Sequence, residues 1–407
     1  MKRSLIRGEE GSVLIQVGVG LIVLIAFSMF TFDYGVMWVS RRQAQNAADA
    51  GALAGAVALA FDQGAFDDDA LKARQSALVV ASAHNVWGEA PSADDNTLQT
   101  TYPVGCPDGT VTCLRVDVYR NTARGNPLPM FFGQLMGLST QGVRATASGQ
   151  AMVADASDCL KPFGIPDRWE DRHDETTPVD EDWTMGDEFE THYTKGPNKG
   201  EPLPIPDHYR PPTKSDPGTG FTLARDYGRQ MTLKFGNPND TAAPGNFMPI
   251  ALPTWDGEST GGSDYEGNIS GCNGVPIKVG TTITTEPGAM VGPTAHGMDD
   301  LIDLDPTATW NESAKRVENS CAQATVPCAA VSPRIVAIPV FDTGAFHEGQ
   351  MNGRTEIRIV NILGFFMERM DGNDVVGRFV NIPGLKIGSS SNISPEAAFM
   401  KVPLLVR

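Results

Sequence analysis

Ser12-Val-Leu-Ile-Gln-Val-Gly-Val-Gly-Leu-Ile-Val-Leu-Ile-Ala-Phe-Ser-Met-Phe-Thr-Phe32 decides how this chain is organised, because the run is uncharged from end to end. It has about 21 residues, and at ~1.5 Å rise per residue a helix of that length spans ~31 Å, the thickness of a bilayer's hydrocarbon core. A cleaved secretory signal is the nearest alternative, since Lys2, Arg3 and Arg7 precede the run. Its apolar region would be only about 7–15 residues long and would end in a small-residue cleavage site. Here Phe30, Phe32, Tyr34 and Trp38 gather at the far end instead, like the aromatic belt of a membrane boundary. The reading is a retained single-pass anchor from Ser12 to Phe32, with the short basic N-terminus inside.

Working outward, helix-favouring sequence continues from Asp33 to about Ala60. Within it Ala44, Ala48, Ala52 and Ala56 recur every fourth position beside Ala47, Gly51 and Gly55. Such a smooth stripe lets another backbone approach closely, whether that of a partner or of the chain's own module; alanine as mere helix filler is the plainer alternative. Asp67-Asp68-Asp69 suits the N-terminus of a second helix over Ala70 to Asn85. From Leu114 to Arg120 the pattern alternates like a half-buried strand. Leu128 to Gly137 reads as a short apolar helix, and Thr140 to Ala147 as a further strand.

All six cysteines, Cys106, Cys113, Cys159, Cys272, Cys321 and Cys328, follow the anchor, and none forms a Cys-x-x-Cys pair. An even number beyond a membrane segment points to disulfides in an oxidising compartment. The equal gaps of Cys106 to Cys113 and Cys321 to Cys328 favour two local bridges, which leaves Cys159 for Cys272. Six buried thiols are the alternative.

The residues from Asp158 to Gly220 are rich in Asp, Glu and Pro and read as an acidic, extended connector, parts of which, marked by Trp169 and Trp183, pack on a domain. Beyond Phe221, strand signals at Arg229–Gly236, Phe247–Leu252, Val275–Thr285, Arg334–Phe341, Thr355–Met367 and Val375–Ile382 alternate with turns. A short helix is expected from about Met298 to Leu304. The fold class is therefore α+β: an anchor over 1–43, an α+β module over 44–155, a connector over 156–220, and a β-rich domain over 221–407, a sandwich or open barrel.

A net charge of −17 speaks against a nucleic-acid partner, since phosphate binding needs clustered Lys and Arg. Catalytic motifs are weak. Gly257-Glu-Ser259-Thr-Gly261 fits a nucleophile elbow, with His296 and His347 as bases, but Gly262 to Gly267 reads as a turn-rich loop where the elbow needs a helix. The six histidines are scattered singly, so neither a metal nor a cofactor is expected from them. Asp299, Asp300, Asp303 and Asp305, and separately Asp256, Glu258, Asp264 and Glu266, could offer carboxylates to Ca²⁺. Neither group has EF-hand spacing, and solvated acidic faces are the simpler account.

Arg7-Gly-Glu-Glu-Gly-Ser-Val-Leu-Ile-Gln16, Phe32-Asp-Tyr-Gly35 and Arg41-Arg-x-x-Gln-Asn-Ala-Ala-Asp-Ala50 together resemble the N-terminal region of TadG-like proteins of the bacterial tight-adherence (Tad/Flp) pilus-assembly machinery. Leu138 to Ala147 resembles the same family's strand–helix–strand unit, so the resemblance covers roughly the first 155 residues. It implies an inner-membrane protein with a periplasmic body and pilus-assembly or secretion proteins as partners, homo-oligomers being open. Related pseudopilins are cut after a Gly and need Glu at the fifth position beyond it. Gln16 stands there relative to Gly11, so no processing is expected. Some relatives carry an Asp-x-Ser-x-Ser metal-adhesion motif; the nearest match, Asp155-Ala-Ser157-Asp-Cys159, has sulfur where a hard cation wants oxygen. The expected function is a non-enzymatic envelope protein of pilus assembly or anchoring. The alternative is an adhesion or binding module that uses acidic loops and Ca²⁺.

Overall fold

The computed structural model describes residues 10–61, 69–106, 112–172, 183–184, 186–236, 241–258, 260–325, 327–329, 331–349, 356–387 and 392–406. The chain forms two compact units, Met1–Ala151 with Pro403–Arg407, and Met152–Val402.

The first unit is built on one continuous helix, α1 (Glu10–Phe61), of 52 residues. No proline or glycine pair interrupts it after the apolar run, so the anchor and the alanine-rich segment are one rod ~78 Å long. A second helix, α2 (Asp69–Ser82), packs beside it. Asp67 and Asp68, expected at its start, lie outside the described residues. Three strands follow, β1 (Leu98–Val104), β2 (Cys113–Arg120) and β3 (Val143–Val153). They pair antiparallel in the order β1-β2-β3, with Leu98 opposite Val118 and Leu114 opposite Gly149. Alternation sends Leu114, Val116 and Val118 of β2 into a core shared with the alanines of both helices. The stretch Leu128 to Gly137 differs from the short apolar helix expected: Leu128–Pro129 pairs with Thr140–Gln141, and only Gly133–Met136 forms a 3-10 turn. Pro129 pushes Leu128 toward extended backbone, and Gly133 weakens the helix that would follow.

The second unit is a closed barrel. Its strands are β4 (Phe163–Pro166), β5 (Gln230–Phe235) and β6 (Asn246–Pro249). Helix α3 (Gly262–Ser270), the short strand β7 (Thr282–Thr284) and helix α4 (Val291–Asp303) come next. Strands β8 (Ile335–Phe341), β9 (Glu356–Asp371) and β10 (Asp374–Val380) complete the set. The ring runs β9-β8-β4-β6-β5-β10 and returns to β9, while β7 pairs with the first residues of β9. Closure falls to the 16-residue β9, which pairs with β8 over Ile359–Phe366 and with β10 over Gly364–Asp371. A register shift between Met367 and Arg369 bends it enough to serve two neighbours. The sandwich or open barrel expected from the strand pattern is thus a barrel with no free edge around its ring. Phe163, Phe247, Phe341, Leu363, Phe365 and Phe379 fill the interior. The final strand, β11 (Met400–Val406), lies next to β3 in the sheet order, its last residues belonging to the first unit.

The acidic connector expected over 156–220 is instead part of the second unit, with β4 at the heart of its ring. Trp169 and Trp183 are buried and meet edge to face at 5.2 Å. Acidic composition misleads here because Asp167, Asp171 and Asp207 are buried, as is Asp226 just beyond the stretch. Asp226, fully buried, accepts from Thr222 N at 2.9 Å and faces Arg168, Arg225 and Arg229 at 3.4, 3.1 and 3.5 Å. Asp167, equally buried, accepts from the backbone of Arg168 and Phe221 and from the Tyr209 hydroxyl. Burial pushes its carboxyl up to about 7, against the pull of those donors.

Candidate membrane anchor and helix interface

From Val13 onward α1 is long and apolar enough to cross a membrane, with a mean hydropathy of 2.5 over its best window and none of that window covered by the rest of the protein. Val13, Leu14, Ile15, Leu24, Phe27 and Phe30 are exposed side chains that only an apolar medium would cover at no cost. Where the run ends, Phe30 stacks on Tyr34 at 6.1 Å and Arg42 lies over the Trp38 ring at 5.0 Å.

One residue beyond Phe32, the buried Asp33 accepts backbone hydrogen bonds from Phe131, Phe132 and Gly133 at 2.7, 3.1 and 2.7 Å. A carboxylate there satisfies the free N–H groups that open the Gly133–Met136 turn. Phe32 adds edge-to-face contacts to Phe131 and Phe132 at 5.4 and 5.8 Å. Gln141 donates to the Asp33 carbonyl at 3.2 Å. This clamp seats the 128–141 loop on α1 at the end of the apolar run. Sequence reasoning passed over it; the available signal was a lone carboxylate abutting a membrane segment, which demands partners.

Ala44, Ala47, Ala48, Ala52 and Ala56 have no exposed surface. The structure sets this face inside the chain's own module, against Ala73, Ala77 and Ala81 of α2, which repeat at the same interval. A methyl at Gly51 would stand 2.8 Å from the Ala77 carbonyl oxygen and from the Ala81 methyl. At Gly55 it would meet the end of Leu114 at 2.8 Å. The tightest approach comes from β3, where a methyl at Gly149 would lie 2.1 Å from the Ala52 carbonyl oxygen. The small residues serve internal close packing. The side of the same helix that the module leaves open carries Trp38, Arg42, Asn46, Leu53 and Val57.

A family model described as "Tad: Putative Flp pilus-assembly TadE/G-like" matches residues 11–58. Neither the curated proteins nor the solved structures give a match. The TadE/G-like segment thus coincides with the anchor, the Asp33 clamp and the whole alanine face of α1, and ends before α2.

Outside the TadE/G-like segment, the three disulfides are Cys106–Cys113, Cys159–Cys272 and Cys321–Cys328. Cys159 is therefore no ligand, and its neighbours in the Asp155-x-Ser157 stretch are engaged too. Asp155 accepts from Ile387 N at 2.8 Å, and Ser157 Oγ from Cys159 N at 3.2 Å. Of the acidic group on α4, Asp299, Asp300 and Asp303 are exposed. Asp305 is buried and binds Ser320, Ser332 and Cys321 N at 2.6, 2.6 and 2.8 Å, pinning the third disulfide loop. Among the described residues no three His, Cys, Asp or Glu side chains converge as a metal site. Helix α3 occupies Gly262–Ser270, where the sequence suggested a loop, and follows the two-residue strand Gly257–Glu258. Ser259 lies outside the described residues. Of its proposed bases, His296 is exposed beside Glu266 at 3.5 Å, and His347 shares the Thr191 hydroxyl with His192.

Proposed function

We propose that this is a non-enzymatic, membrane-anchored envelope protein of pilus assembly or anchoring. The observation that carries the reading is the coincidence of the TadE/G-like match over residues 11–58 with a helix that leaves an uncovered apolar span and enters a folded module without a break. Three disulfides beyond the span support a body in an oxidising compartment, hence the periplasm, with the basic N-terminus in the cytoplasm and the inner membrane as the site of anchoring. Partners are then other envelope components of the pilus machinery or a second copy. The calcium-dependent adhesion alternative has less support, since Asp305 is spent on the disulfide loop.

The test is deletion of the gene, scored for piliation, with photo-crosslinking in living cells from Leu53 and Val57. These residues are 40% and 42% exposed, whereas Ala48 and Ala52 face the protein's own core. Loss of pili with capture of secretion or pilin components is the expected result. Normal piliation on deletion would refute the reading.

A further inference from the structure

An apolar groove of about 690 Å³ runs along α1 where the apolar run ends, lined by Phe27, Thr31, Phe32, Gly35, Val39 and Trp87 among others. Its volume falls in the range of small-ligand sites, roughly 300–1,000 Å³. Gly35 creates the gap, since its side-chain position meets no atom within 4 Å. Trp87 supplies the outer wall and is held there, with its backbone N–H donating to Gln43 Oε1 at 2.8 Å.

We propose that this groove seats one chain of an anionic phospholipid. The inference rests on α1 crossing a membrane, as read above. Three observations select the occupant. The groove starts within the apolar span, at Phe27, and continues beyond it to Val39 and Trp87, so it crosses the boundary that an acyl chain and its headgroup cross. The hydroxyls at its floor are already used: Ser28 donates to the Leu24 carbonyl and Thr31 to the Phe27 carbonyl, at 2.9 and 2.8 Å. Both hydroxyls are thus spent within the helix, and the floor that α1 presents is in effect hydrocarbon. Just beyond Val39, Arg42 on the groove's side of α1 and Arg41 on the opposite side are exposed, and among the described residues neither has a carboxylate partner. In a chain of net charge −17, two adjacent unpaired cations at a membrane boundary match a phosphate-bearing headgroup.

The experiment uses the full chain in lipid nanodiscs containing acyl-brominated phosphatidylglycerol or phosphatidylcholine. Quenching of Trp87 is read as the difference between the protein and its Trp87→Phe variant, and that of Trp38 likewise. Trp87 should be quenched by the brominated anionic lipid at a lower mole fraction than by the zwitterionic one. Arg41→Gln and Arg42→Gln should each reduce that preference about 5-fold, the effect of ~1 kcal/mol per basic residue at an anionic surface. Gly35→Leu, which has open space to enter, should abolish Trp87 quenching while leaving the fold intact. Equal quenching by both lipids, unchanged in the arginine variants, would overturn the proposal. Quenching of Trp38 but not Trp87 would also overturn it, as would shielding of Trp87 only in discs holding two chains, which would give the groove to a second copy. Release of the chain by alkaline carbonate with neither residue quenched would overturn the membrane reading itself, and this proposal with it.

Discussion

Gly149→Ala should damage the first unit more than either glycine-to-alanine change on α1, although all three add the same methyl group. At Gly149 the methyl would sit 2.1 Å from the oxygen and 2.8 Å from the carbon of the Ala52 carbonyl, both backbone atoms of α1. Ordinary contacts need roughly 3.5 Å, so β3 and α1 must part locally by about 1 Å or more. Overpacking costs about 1–3 kcal/mol, a clash against rigid backbone belongs at the upper end, and replacing glycine within a strand returns roughly 0.5–1, leaving a loss near 2 kcal/mol. At Gly51 the backbone oxygen of Ala77 and the methyl of Ala81 stand at 2.8 Å, but the helix gains about 1 kcal/mol from alanine, so the loss is roughly 1 kcal/mol. At Gly55 the nearest atom is the side-chain end of Leu114, which can give way more readily than backbone, with the Ala73 carbonyl oxygen at 3.2 Å, and the helix gain makes the change close to neutral. Hydrogen exchange of α2 and β2 amides in the detergent-solubilised full chain reads these differences locally. A 2 kcal/mol loss accelerates exchange about 30-fold where the module opens and recloses faster than its open amides exchange. Gly149→Ala exchanging within threefold of the parent, or Gly55→Ala exchanging fastest, would refute the argument from close approach.

Asp33→Asn should release the 128–141 loop, because an amide NH₂ would face N–H donors. Exchange at Phe131 and Gly133 should rise by at least about tenfold, with α2 unaffected. Asp167 holds its proton more tightly folded than unfolded, its carboxyl being pushed up to about 7 by burial. Its contribution to the second unit is therefore complete below about pH 4 and lost as pH rises through 7, and Asp167→Asn should flatten the urea midpoint over that window. Replacing Cys159 and Cys272 by serine should cost about 4–5 kcal/mol, because the pair closes a loop with a sequence separation of 113. Replacing Cys321 and Cys328, with a separation of 7, should cost less, and urea unfolding of the two double mutants gives the comparison.

How far the sequence could be read depended on whether the deciding interaction was local. The anchor is legible because bilayer thickness demands a run of fixed length, and five of the six main strand signals beyond Phe221 are legible because alternation is a two-residue property, whereas Val275–Thr285 is broken at Gly280 into Ile277–Lys278 and Thr282–Thr284. Strand β4 is not. Phe163-Gly-Ile-Pro166 is too short to show a period, and the carboxylates after it look solvated until Arg168, Arg225 and Arg229 are seen around Asp226. Barrel closure escapes for a similar reason, since it rests on β9 reaching both β8 and β10. The alanine face could be found from its spacing, but only the fold shows Ala73, Ala77 and Ala81 lying against it. The lipid groove needs Trp87 brought beside Gly35 and Val39, a juxtaposition that no sequence window contains.

Because α1 is unbroken from Glu10 to Phe61, the direction in which the module faces is tied to the rotation of the segment in the membrane. Each residue of a helix turns its successor by about 100° and advances it by ~1.5 Å. One alanine inserted between Gly20 and Leu24, before the groove and the Asp33 clamp, would thus turn the module together with both by about 100° relative to the rest of the span, while raising it by only ~1.5 Å. Four inserted residues would nearly restore the angle and add ~6 Å of height. The helix therefore encodes angular phase as well as distance, and a partner held in the same bilayer would meet one particular side of the module.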